Sequence, residues 1–391
     1  MRYGLNRYFL LFICVLLLFT NSHIFTYAED FDVNARAAVL IDAATGTVLY
    51  EKNSHEKLPP ASITKIMTML LTMEAMESKA VRLDDKVLIS ERASKMGGSQ
   101  LYLEPGEEKT VEELMKGISV ASANDACVAL AEHIGGTEEL FIKRMNERAA
   151  ELGMNDTQFM NTNGLPHEGH YSSAYDIGLM SKELLKYPKI HDWLTIWMST
   201  MKVGLPNKKI TTLELTNTNK LIRFYPGANG IKTGYTSDAK YCLSASATKN
   251  GLTLIAVILG GPTSQIRFDE AKKLLNYGFA AYSAVPFSKK GEVIEEINVE
   301  KGKQAKVNVI AKDDISALVK KGEENKVIKE IVLPDRVKAP FKAGEKIGEV
   351  ILTKDGQEII RVDLITEKEV EAASFVNIME RIFHKSLSTT K

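Results

Sequence analysis

The chain has 391 residues, of which 45% are hydrophobic and 26% are charged, so it is long enough for two or three globular domains. Its 50 Lys and Arg residues balance its 50 Asp and Glu residues, which excludes a global basic surface for nucleic acid. Three cysteines are too few for a disulfide scaffold or for a zinc site with four thiolates.

The first residues predict an export signal. Two Arg residues within the first seven positions precede an apolar run over residues 8–19, which is shorter than the ~20 residues of a membrane span. Thr26-Tyr27-Ala28 then places small residues at the first and third positions of a cleavage site. We expect a secretory signal peptide over residues 1–28, with an uncleaved N-terminal anchor as the alternative.

Residues 29–285 mix strand and helix patterns. Short β-prone runs at 37–42 and 47–51 predict a hairpin. Residues 62–77 are apolar on nearly every face, which predicts a helix buried inside a domain. Further elements are expected as helices near 111 and at 140–152, 173–185 and 264–282, and as a hairpin at 240–259 around Asn250-Gly251. Strands at both ends with helices between them predict an α+β domain.

Two cysteines of this segment, Cys127 and Cys242, lie in apolar stretches. We expect both as buried free thiols, and a disulfide between them is the alternative in an oxidising compartment.

The last third of the chain has a different pattern. Alternating short strands over residues 286–366 predict a small β-sandwich-like domain with few candidate catalytic residues. Within residues 367–391, one side at helical spacing is apolar and consists of Ala372, Phe375, Val376, Met379, Ile382 and Phe383. Because Glu380 and Arg381 make a membrane crossing costly, we expect an amphipathic helix in the membrane surface, with packing on the β domain as the alternative.

The helix at 62–77 carries the first candidate for catalysis. Ser62 and Lys65 stand three positions apart and share one helix face, so the amine can reach the hydroxyl. A serine becomes a nucleophile when a base takes its proton, and a lysine can serve once burial lowers its pKa. The same spacing recurs at Ser54 and Ser246, where a helix cap with a solvated lysine is the ordinary explanation. Only at Ser62 does it open a helix that is apolar all round.

Two further polar motifs follow along the chain. Ser122-Ala123-Asn124 interrupts a helical stretch and predicts a turn that presents a hydroxyl and an amide. Lys232-Thr233-Gly234 precedes the hairpin at 240–259, where a lysine and a hydroxyl at a strand edge can attract a carboxylate. The glycine of this motif allows close approach of the backbone. Each motif alone would be an ordinary cap or turn, and it is their order behind Ser62 that points to catalysis.

Together the three motifs form the Ser-x-x-Lys, Ser-x-Asn and Lys-Thr-Gly signature of penicillin-binding proteins and class A β-lactamases. With Met96-Gly97-Gly98-Ser99 and residues 169–176, the chain resembles the serine-type D-alanyl-D-alanine carboxypeptidases of peptidase family S11, most of all the sporulation-type enzymes of endospore-forming bacteria. The resemblance implies a β-lactamase/transpeptidase-like catalytic domain, an antiparallel sheet with helices. It also implies an acyl-enzyme mechanism without cofactor or metal.

The resemblance further implies a role for each matched residue. Ser62 is expected to attack the substrate, Lys65 to activate Ser62, and Ser122 to relay a proton. The charge of Lys232 is expected to add to burial in lowering the pKa of Lys65. The expected substrate-binding residues are Asn124, Lys232, Thr233, Gly234, Tyr235 and Arg267. The Asn124 amide would hold the substrate amide, and the cationic groups with the Thr233 hydroxyl would hold its terminal carboxylate. The N–H groups of Ser62 and Tyr235 would form the oxyanion hole.

We therefore expect an exported enzyme at the outer face of the cytoplasmic membrane, which removes the terminal D-alanine of peptidoglycan pentapeptides and is acylated by β-lactams. A DD-endopeptidase acting on peptide cross-links would use the same residues and stays open. A class A-like β-lactamase would need a positioned glutamate, and Glu168 lacks the Glu-x-x-Leu-Asn setting. A non-catalytic wall-binding module would have no need of Lys65 in an apolar helix. No nucleic-acid partner is expected.

Overall fold

The computed structural model describes residues 31–374, and residues 31–33 precede the first regular element. The signal peptide that we predict at 1–28 therefore lies outside the described residues, as do residues 375–391 of the predicted C-terminal helix.

The first 281 residues contain all the α-helices of the described chain. A 3-10 helix, Ala61–Thr64, leads into α1 (Lys65–Glu77), and a π-helical turn, Gly117–Ala121, continues α3. The α-helices after α1 are α2 (Glu91–Ser94), α3 (Val111–Lys116), α4 (Asn124–Gly135), α5 (Glu138–Glu151), α6 (Ala174–Leu185), α7 (Ile190–Leu194), α8 (Leu221–Phe224) and α9 (Ser264–Ala281).

The strands of the same region are β1 (Ala37–Asp42), β2 (Val48–Lys52), β3 (Lys86–Leu88), β4 (Glu108–Thr110), β5 (Met198–Val203), β6 (Thr211–Thr216), β7 (Ala228–Thr236), β8 (Lys240–Lys249) and β9 (Leu252–Gly261). Five of them form an antiparallel sheet in the order β2-β1-β9-β8-β7. Strand β7 therefore lies at an edge, with one side free of strand pairing.

Helices cover both faces of this sheet. Val39 and Ile41 on one face of β1 contact Gly178 of α6, and Leu40 on the other face contacts Gly278 of α9. Because side chains alternate between the faces of a strand, β1 is buried along its whole length. Helix α1 lies within the core, and its residues from Lys65 to Met73 are all buried. The predicted buried helix is therefore confirmed, and its burial on all sides agrees with its apolar pattern.

The local signals in the sequence are also confirmed. Thr110 and Glu113 form a capping box at the start of α3, with both reciprocal bonds present. Asn250 and Gly251, both at positive φ, connect β8 to β9, as a two-residue hairpin turn requires. Cys127 and Cys242 are buried and free, as expected.

The remaining strands build the β domain. They are β10 (Tyr282–Ser288), β11 (Val293–Glu300), β12 (Lys306–Ala311), β13 (Ile315–Lys320), β14 (Val327–Val332), β15 (Arg336–Lys338), β16 (Lys346–Lys354) and β17 (Gln357–Thr366). Six of them form one sheet in the order β14-β16-β17-β12-β11-β15, and β10 pairs with β13 in a separate ribbon. Residues of β13 share an apolar core with β12, β16 and β17, so the ribbon and the sheet form two packed layers.

The expected boundary after residue 285 does not coincide with a break in the structure. Strand β10 spans it, follows directly on α9 and pairs with β13 from Tyr282 to Ser288. Because one partner, β13, supplies the whole ladder of β10, we place the start of the β domain at Tyr282.

The predicted helix over 367–391 is wrong for its first eight residues. Residues 367–374 contain no helix, and Val370 and Ala372 instead form β-bridges with Phe341 and Gly302. Val370 is 2% exposed and belongs to the core of the β domain. The helical spacing was misleading here because burial of Val370 and the bridge bonds outweigh local helix propensity. Within residues 31–374, no helix is both long and apolar enough to cross a membrane.

Candidate active site

Ser62 lies where the 3-10 helix leads into α1. It is partly exposed, whereas Lys65, one turn later, is completely buried. The Lys65 Nζ atom lies 2.8 Å from the Ser62 Oγ atom, within hydrogen-bonding distance. The predicted contact across one helical turn is therefore present, and the hydroxyl faces the surface while the amine faces the core.

The environment of Lys65 favours its neutral form. Burial lowers the pKa of Lys65 to about 8, while the nearby Cys127 and Asp125 oppose that shift. The second partner of Nζ is the carbonyl oxygen of Asn163, at 2.6 Å. An amine with this pKa provides an appreciable neutral fraction near neutral pH, which a general base requires.

Lys232 is the second buried lysine of the site and is 1% exposed. Burial lowers its pKa well below the ordinary value, and the positive charges of Lys65 and Arg267 lower it further. The sequence led us to expect Lys232 to depress the pKa of Lys65, whereas in the structure the repulsion between the two amines lowers the pKa of Lys232. Its Nζ atom donates to the carbonyl oxygen of Thr233 at 3.2 Å.

The Ser122-Ala123-Asn124 motif forms the predicted turn. Ser122 ends the π-helical turn with φ of 63°, a left-handed conformation that costs a serine about 1–3 kcal/mol. Asn124 then begins α4. This sharp reversal places a hydroxyl and an amide on one short loop. Cys127, further along α4, lies close enough to Lys65 and Lys232 for both amines to affect its pKa.

A second loop holds Asn124 in place. Its Nδ2 atom donates to the carbonyl oxygen of Gly97 at 2.6 Å, and its backbone N–H donates to Ser99. A side chain on Gly98 would lie 2.8 Å from that Nδ2 atom, too close for any Cβ. The Met96-Gly97-Gly98-Ser99 motif is therefore explained as the support of Asn124.

The Lys232-Thr233-Gly234 motif lies on the edge strand β7 and packs against the 3-10 helix. A Cβ on Gly234 would lie 3.0 Å from the Pro60 oxygen and 3.1 Å from the Ser62 nitrogen, so the glycine allows this close approach. The Thr233 Oγ1 atom lies 2.7 Å from the Thr218 Oγ1 atom. The Thr218 N–H in turn donates to Val120, which links β7 to the turn before Ser122.

Arg267 lies behind β7 rather than in the open cleft. It is 7% exposed, and its Nη1 atom donates to the carbonyl oxygens of Gly234, at 2.9 Å, and Cys242, at 3.3 Å. Its buried Nε atom has no hydrogen-bond partner among residues 31–374, and burial lowers the pKa of Arg267 to about 10. Tyr235 is 55% exposed, and its ring lies 4.5 Å from that of Tyr241.

The sequence did not predict the role of residues 161–164, a loop that contacts Lys65 and Ala61. Asn161 binds the N–H of Gly164 through its side chain, at 2.7 Å, and Asn163 supplies the carbonyl that binds Lys65. A Cβ on Gly164 would lie 1.8 Å from the Ala61 oxygen, so only glycine fits there. The run Asn161-Thr162-Asn163-Gly164 is a turn signal, which predicts a turn but not its contact with Ser62.

The chain is similar to known proteins over most of its length. Residues 24–263 match the family described as D-alanyl-D-alanine carboxypeptidase, and residues 282–372 match the C-terminal domain of penicillin-binding protein 5. The chain is 47% identical to D-alanyl-D-alanine carboxypeptidase DacF of Bacillus subtilis, over 89% of this chain and 88% of that protein. It is 35% identical to DacC of Escherichia coli, over 88% and 86%. The solved penicillin-binding protein 5 of Haemophilus influenzae superimposes with a TM-score of 0.67 at 31% identity, covering 87% of this chain and 98% of that structure.

Proposed function

Because the chain belongs to the D-alanyl-D-alanine carboxypeptidase family, we propose that it is a serine DD-carboxypeptidase, which removes the C-terminal D-alanine from peptidoglycan pentapeptide side chains. One observation carries the proposal: the fully buried Lys65 amine lies 2.8 Å from the partly exposed Ser62 hydroxyl. Burial of a charged lysine is costly, so the neutral amine is favoured. A neutral amine next to a serine hydroxyl can act as the base that activates this nucleophile.

The reaction begins with attack of Ser62 on the carbonyl carbon of the terminal D-Ala-D-Ala bond. The neutral Lys65 amine takes the hydroxyl proton as the Oγ–carbon bond forms. The N–H groups of Ser62 and Tyr235 stabilise the negative oxygen of the tetrahedral intermediate. Collapse breaks the carbon–nitrogen bond, and the departing amine of D-alanine takes the proton of the Lys65 ammonium through the Ser122 hydroxyl, which leaves Lys65 neutral again. Water then hydrolyses the Ser62 ester and regenerates the hydroxyl.

Binding of the substrate uses the cationic side of the cleft. Thr233 donates to the terminal carboxylate when its hydroxyl turns away from Thr218. Burial lowers the pKa of Lys232, but an approaching carboxylate favours the charged form of this amine, which then supplies positive potential. Arg267 acts from behind β7, where its two backbone bonds hold the strand at Gly234 and its charge adds to that potential. Asn124, fixed by Gly97, orients the substrate amide.

The cleft leaves room for the rest of the peptide. A cavity of about 370 Å³ opens beside Ala61, and its lining includes Leu165, Thr236 and Asp238. Glu168 also lines this cavity, on an exposed part of the loop, while the loop residue that binds Lys65 is Asn163. This arrangement supports a peptidase over a class A-like β-lactamase. β-Lactams, which resemble the D-Ala-D-Ala terminus, would acylate Ser62 and inhibit the enzyme.

Release of D-alanine tests the activity. A soluble peptide ending in D-Ala-D-Ala should lose one D-alanine per molecule with the parent protein and none with Ser62→Ala. A cross-linked dimeric peptide, supplied in parallel, distinguishes the endopeptidase alternative by release of monomers. Equal release of D-alanine by parent and Ser62→Ala would contradict the proposal.

We also propose that the enzyme is exported and held at the outer face of the cytoplasmic membrane by the apolar residues that follow Ser374. Support comes from the predicted signal peptide and from the apolar pattern after residue 374. A truncation after Ser374 keeps Val370 in its core and should be released from vesicles while remaining active. Full-length protein that washes off vesicles with moderate salt would contradict attachment through apolar burial.

The 47% identity to DacF of Bacillus subtilis supports placing the enzyme with the sporulation-type members. Production confined to sporulating cells of its source would agree with this placement, and steady production during growth would contradict it.

A further inference from the structure

His170 lies outside the catalytic motifs, yet both of its ring nitrogens form hydrogen bonds, one of them with Thr64 in the 3-10 helix that contains Ser62. The side chain is 6% exposed and packs edge-on against Phe159. The Nδ1 atom lies 2.9 Å from the backbone nitrogen of Met160, and the Nε2 atom lies 2.8 Å from the Thr64 Oγ1 atom. The proposed mechanism gives this buried imidazole no role.

The partners of His170 determine where its proton lies. A backbone N–H can only donate, so Nδ1 accepts from Met160 and carries no hydrogen. A neutral imidazole then has its hydrogen on Nε2, which donates to the Thr64 hydroxyl oxygen. Thr64 in turn donates its own proton to the carbonyl oxygen of Ala61, at 2.9 Å. The bonds therefore run in one direction, from Met160 through His170 and Thr64 to Ala61.

Ala61 is the residue directly before Ser62, and its conformation is unusual. Its φ of 49° is left-handed, which costs an alanine about 1–2 kcal/mol. Its carbonyl oxygen is also confined by Gly164, where a Cβ would lie only 1.8 Å away. The surroundings thus hold Ala61 in a conformation that it would not adopt by itself.

The carbonyl of Ala61 and the N–H of Ser62 belong to one planar peptide unit and point in opposite directions. Any bond that fixes the oxygen of this unit therefore fixes the direction of the N–H. That N–H is the group that the proposed mechanism assigns to the oxyanion hole. Holding the Ala61 oxygen consequently aims the Ser62 N–H toward the cleft.

We infer that His170 is a positioning residue, which acts through Thr64 and the Ala61 carbonyl to orient the oxyanion-binding N–H of Ser62. The inference rests on the proposed acyl-enzyme function. Burial, with a smaller effect of His167, lowers the pKa of His170 to about 4, so the ring keeps its single Nε2 hydrogen at neutral pH. A histidine that stays neutral can serve as a fixed donor.

Two pairs of variants test the inference. His170→Leu removes the donor, whereas His170→Gln offers a side-chain N–H₂ in its place. Thr64→Val removes the hydroxyl with little change of shape, whereas Thr64→Ser keeps it. The matched control is His133→Leu, because His133 is an exposed histidine in the last turn of α4.

The expected result is a loss specific to the transition state. His170→Leu and Thr64→Val should lower kcat for D-alanine release about ten- to hundred-fold, somewhat less than the ~10²–10³ for removal of an oxyanion-hole donor, with KM little changed. A peptide boronic acid, whose tetrahedral adduct places an oxygen in the hole, should bind less tightly by a similar factor. His170→Gln, Thr64→Ser and His133→Leu should stay within a few fold of the parent.

Rates are referred to the folded fraction, measured by circular dichroism. Folded His170→Leu or Thr64→Val protein with parental kcat and boronate affinity would overturn the inference. So would equal losses in Thr64→Val and Thr64→Ser. Failure of the proposed function would be seen separately, because Ser62→Ala would then release D-alanine as the parent does.

Discussion

The catalytic region and the β domain bury very different side chains. Before residue 282, the core contains charged residues at the site, among them Lys65, Lys232, Asp125 and Arg267. From residue 282 to 374, the buried polar side chains are those of Ser288 and Thr366, and neither carries a charge. Ion pairs of the β domain, such as Lys306–Glu296, lie at the surface.

The difference shows that features needed for function but unfavourable for stability lie in the catalytic region. Buried lysines and the left-handed Ala61 and Ser122 are unfavourable for folding, and all of them lie in the catalytic region, where the Lys65 amine contacts the Ser62 hydroxyl. The β domain follows the alternating pattern of an ordinary sheet, and its left-handed residues other than glycine, Lys301 and Asp355, lie in connections between strands. Substitutions in the two regions should therefore have opposite consequences for activity and stability.

The largest effect is expected from Lys65→Met, which keeps an unbranched side chain and removes the base. Acylation by penicillin should slow by ~10²–10⁴-fold, the usual contribution of a general base. The thermal midpoint should stay equal or rise, because no amine has to be desolvated. The control Lys289→Met removes an exposed lysine of the β domain that pairs with Asp314, and it should change neither quantity measurably. Acylation by Lys65→Met within tenfold of the parent would exclude the base role.

A matched pair of glycines compares the two regions directly. Gly164 and Gly356 have similar positive φ angles, 85° and 78°, so alanine costs either about 1–2 kcal/mol in backbone conformation. Only at Gly164 does the new Cβ also meet Ala61, which adds about 1–3 kcal/mol of overpacking and displaces the backbone before Ser62. Gly164→Ala should lose stability and acylation together in denaturant and labelling assays. Equal effects of the two variants would show that the contact with Ala61 is unimportant.

The pH dependence of acylation depends on the neutral amine of Lys65. Since burial lowers its pKa to about 8, the rate should rise with pH and level off above that value. Asp125 raises the pKa of Lys65 by its charge, so Asp125→Asn should shift the rise to lower pH. Stopped-flow acylation across pH measures both curves. A shift to higher pH in Asp125→Asn would contradict this sign.

The smallest catalytic effect is expected from Val370→Ala in the β domain. Loss of this 2%-exposed side chain should cost about 1–3 kcal/mol of unfolding free energy. Acylation by a soluble penicillin should be unchanged, because Val370 packs only in the core of the β domain. Denaturant unfolding and labelling rates provide the two readouts, and slower labelling would show that the two regions are coupled.

The sequence predicted those features that depend on neighbours along the chain. The Ser62–Lys65 contact spans one helical turn, and the Asn250-Gly251 hairpin is set by two residues. What it could not supply were contacts between distant segments, such as Asn163 with Lys65 and His170 with Thr64, which are separated by 98 and 106 positions. Such contacts follow from packing, which leaves no periodic signal in one sequence.

Residues 367–374 show the opposite kind of error, in which a local pattern predicted a helix that the structure does not contain. Ala372 fits a helical stripe with later residues, and the pattern extended that helix backward to Glu367. In the structure the same residue pairs with Gly302, in the connection between β11 and β12, because a segment distant in the sequence supplies a backbone partner that the sequence pattern does not contain.

The most direct test of the account is to locate the covalent adduct of a labelled penicillin by mass spectrometry of proteolytic fragments. The account predicts one modified residue, Ser62, with modification that is lost in Ser62→Ala and much slower in Lys65→Met. Adducts at Ser54 or Ser246, or undiminished labelling of Ser62→Ala, would contradict it.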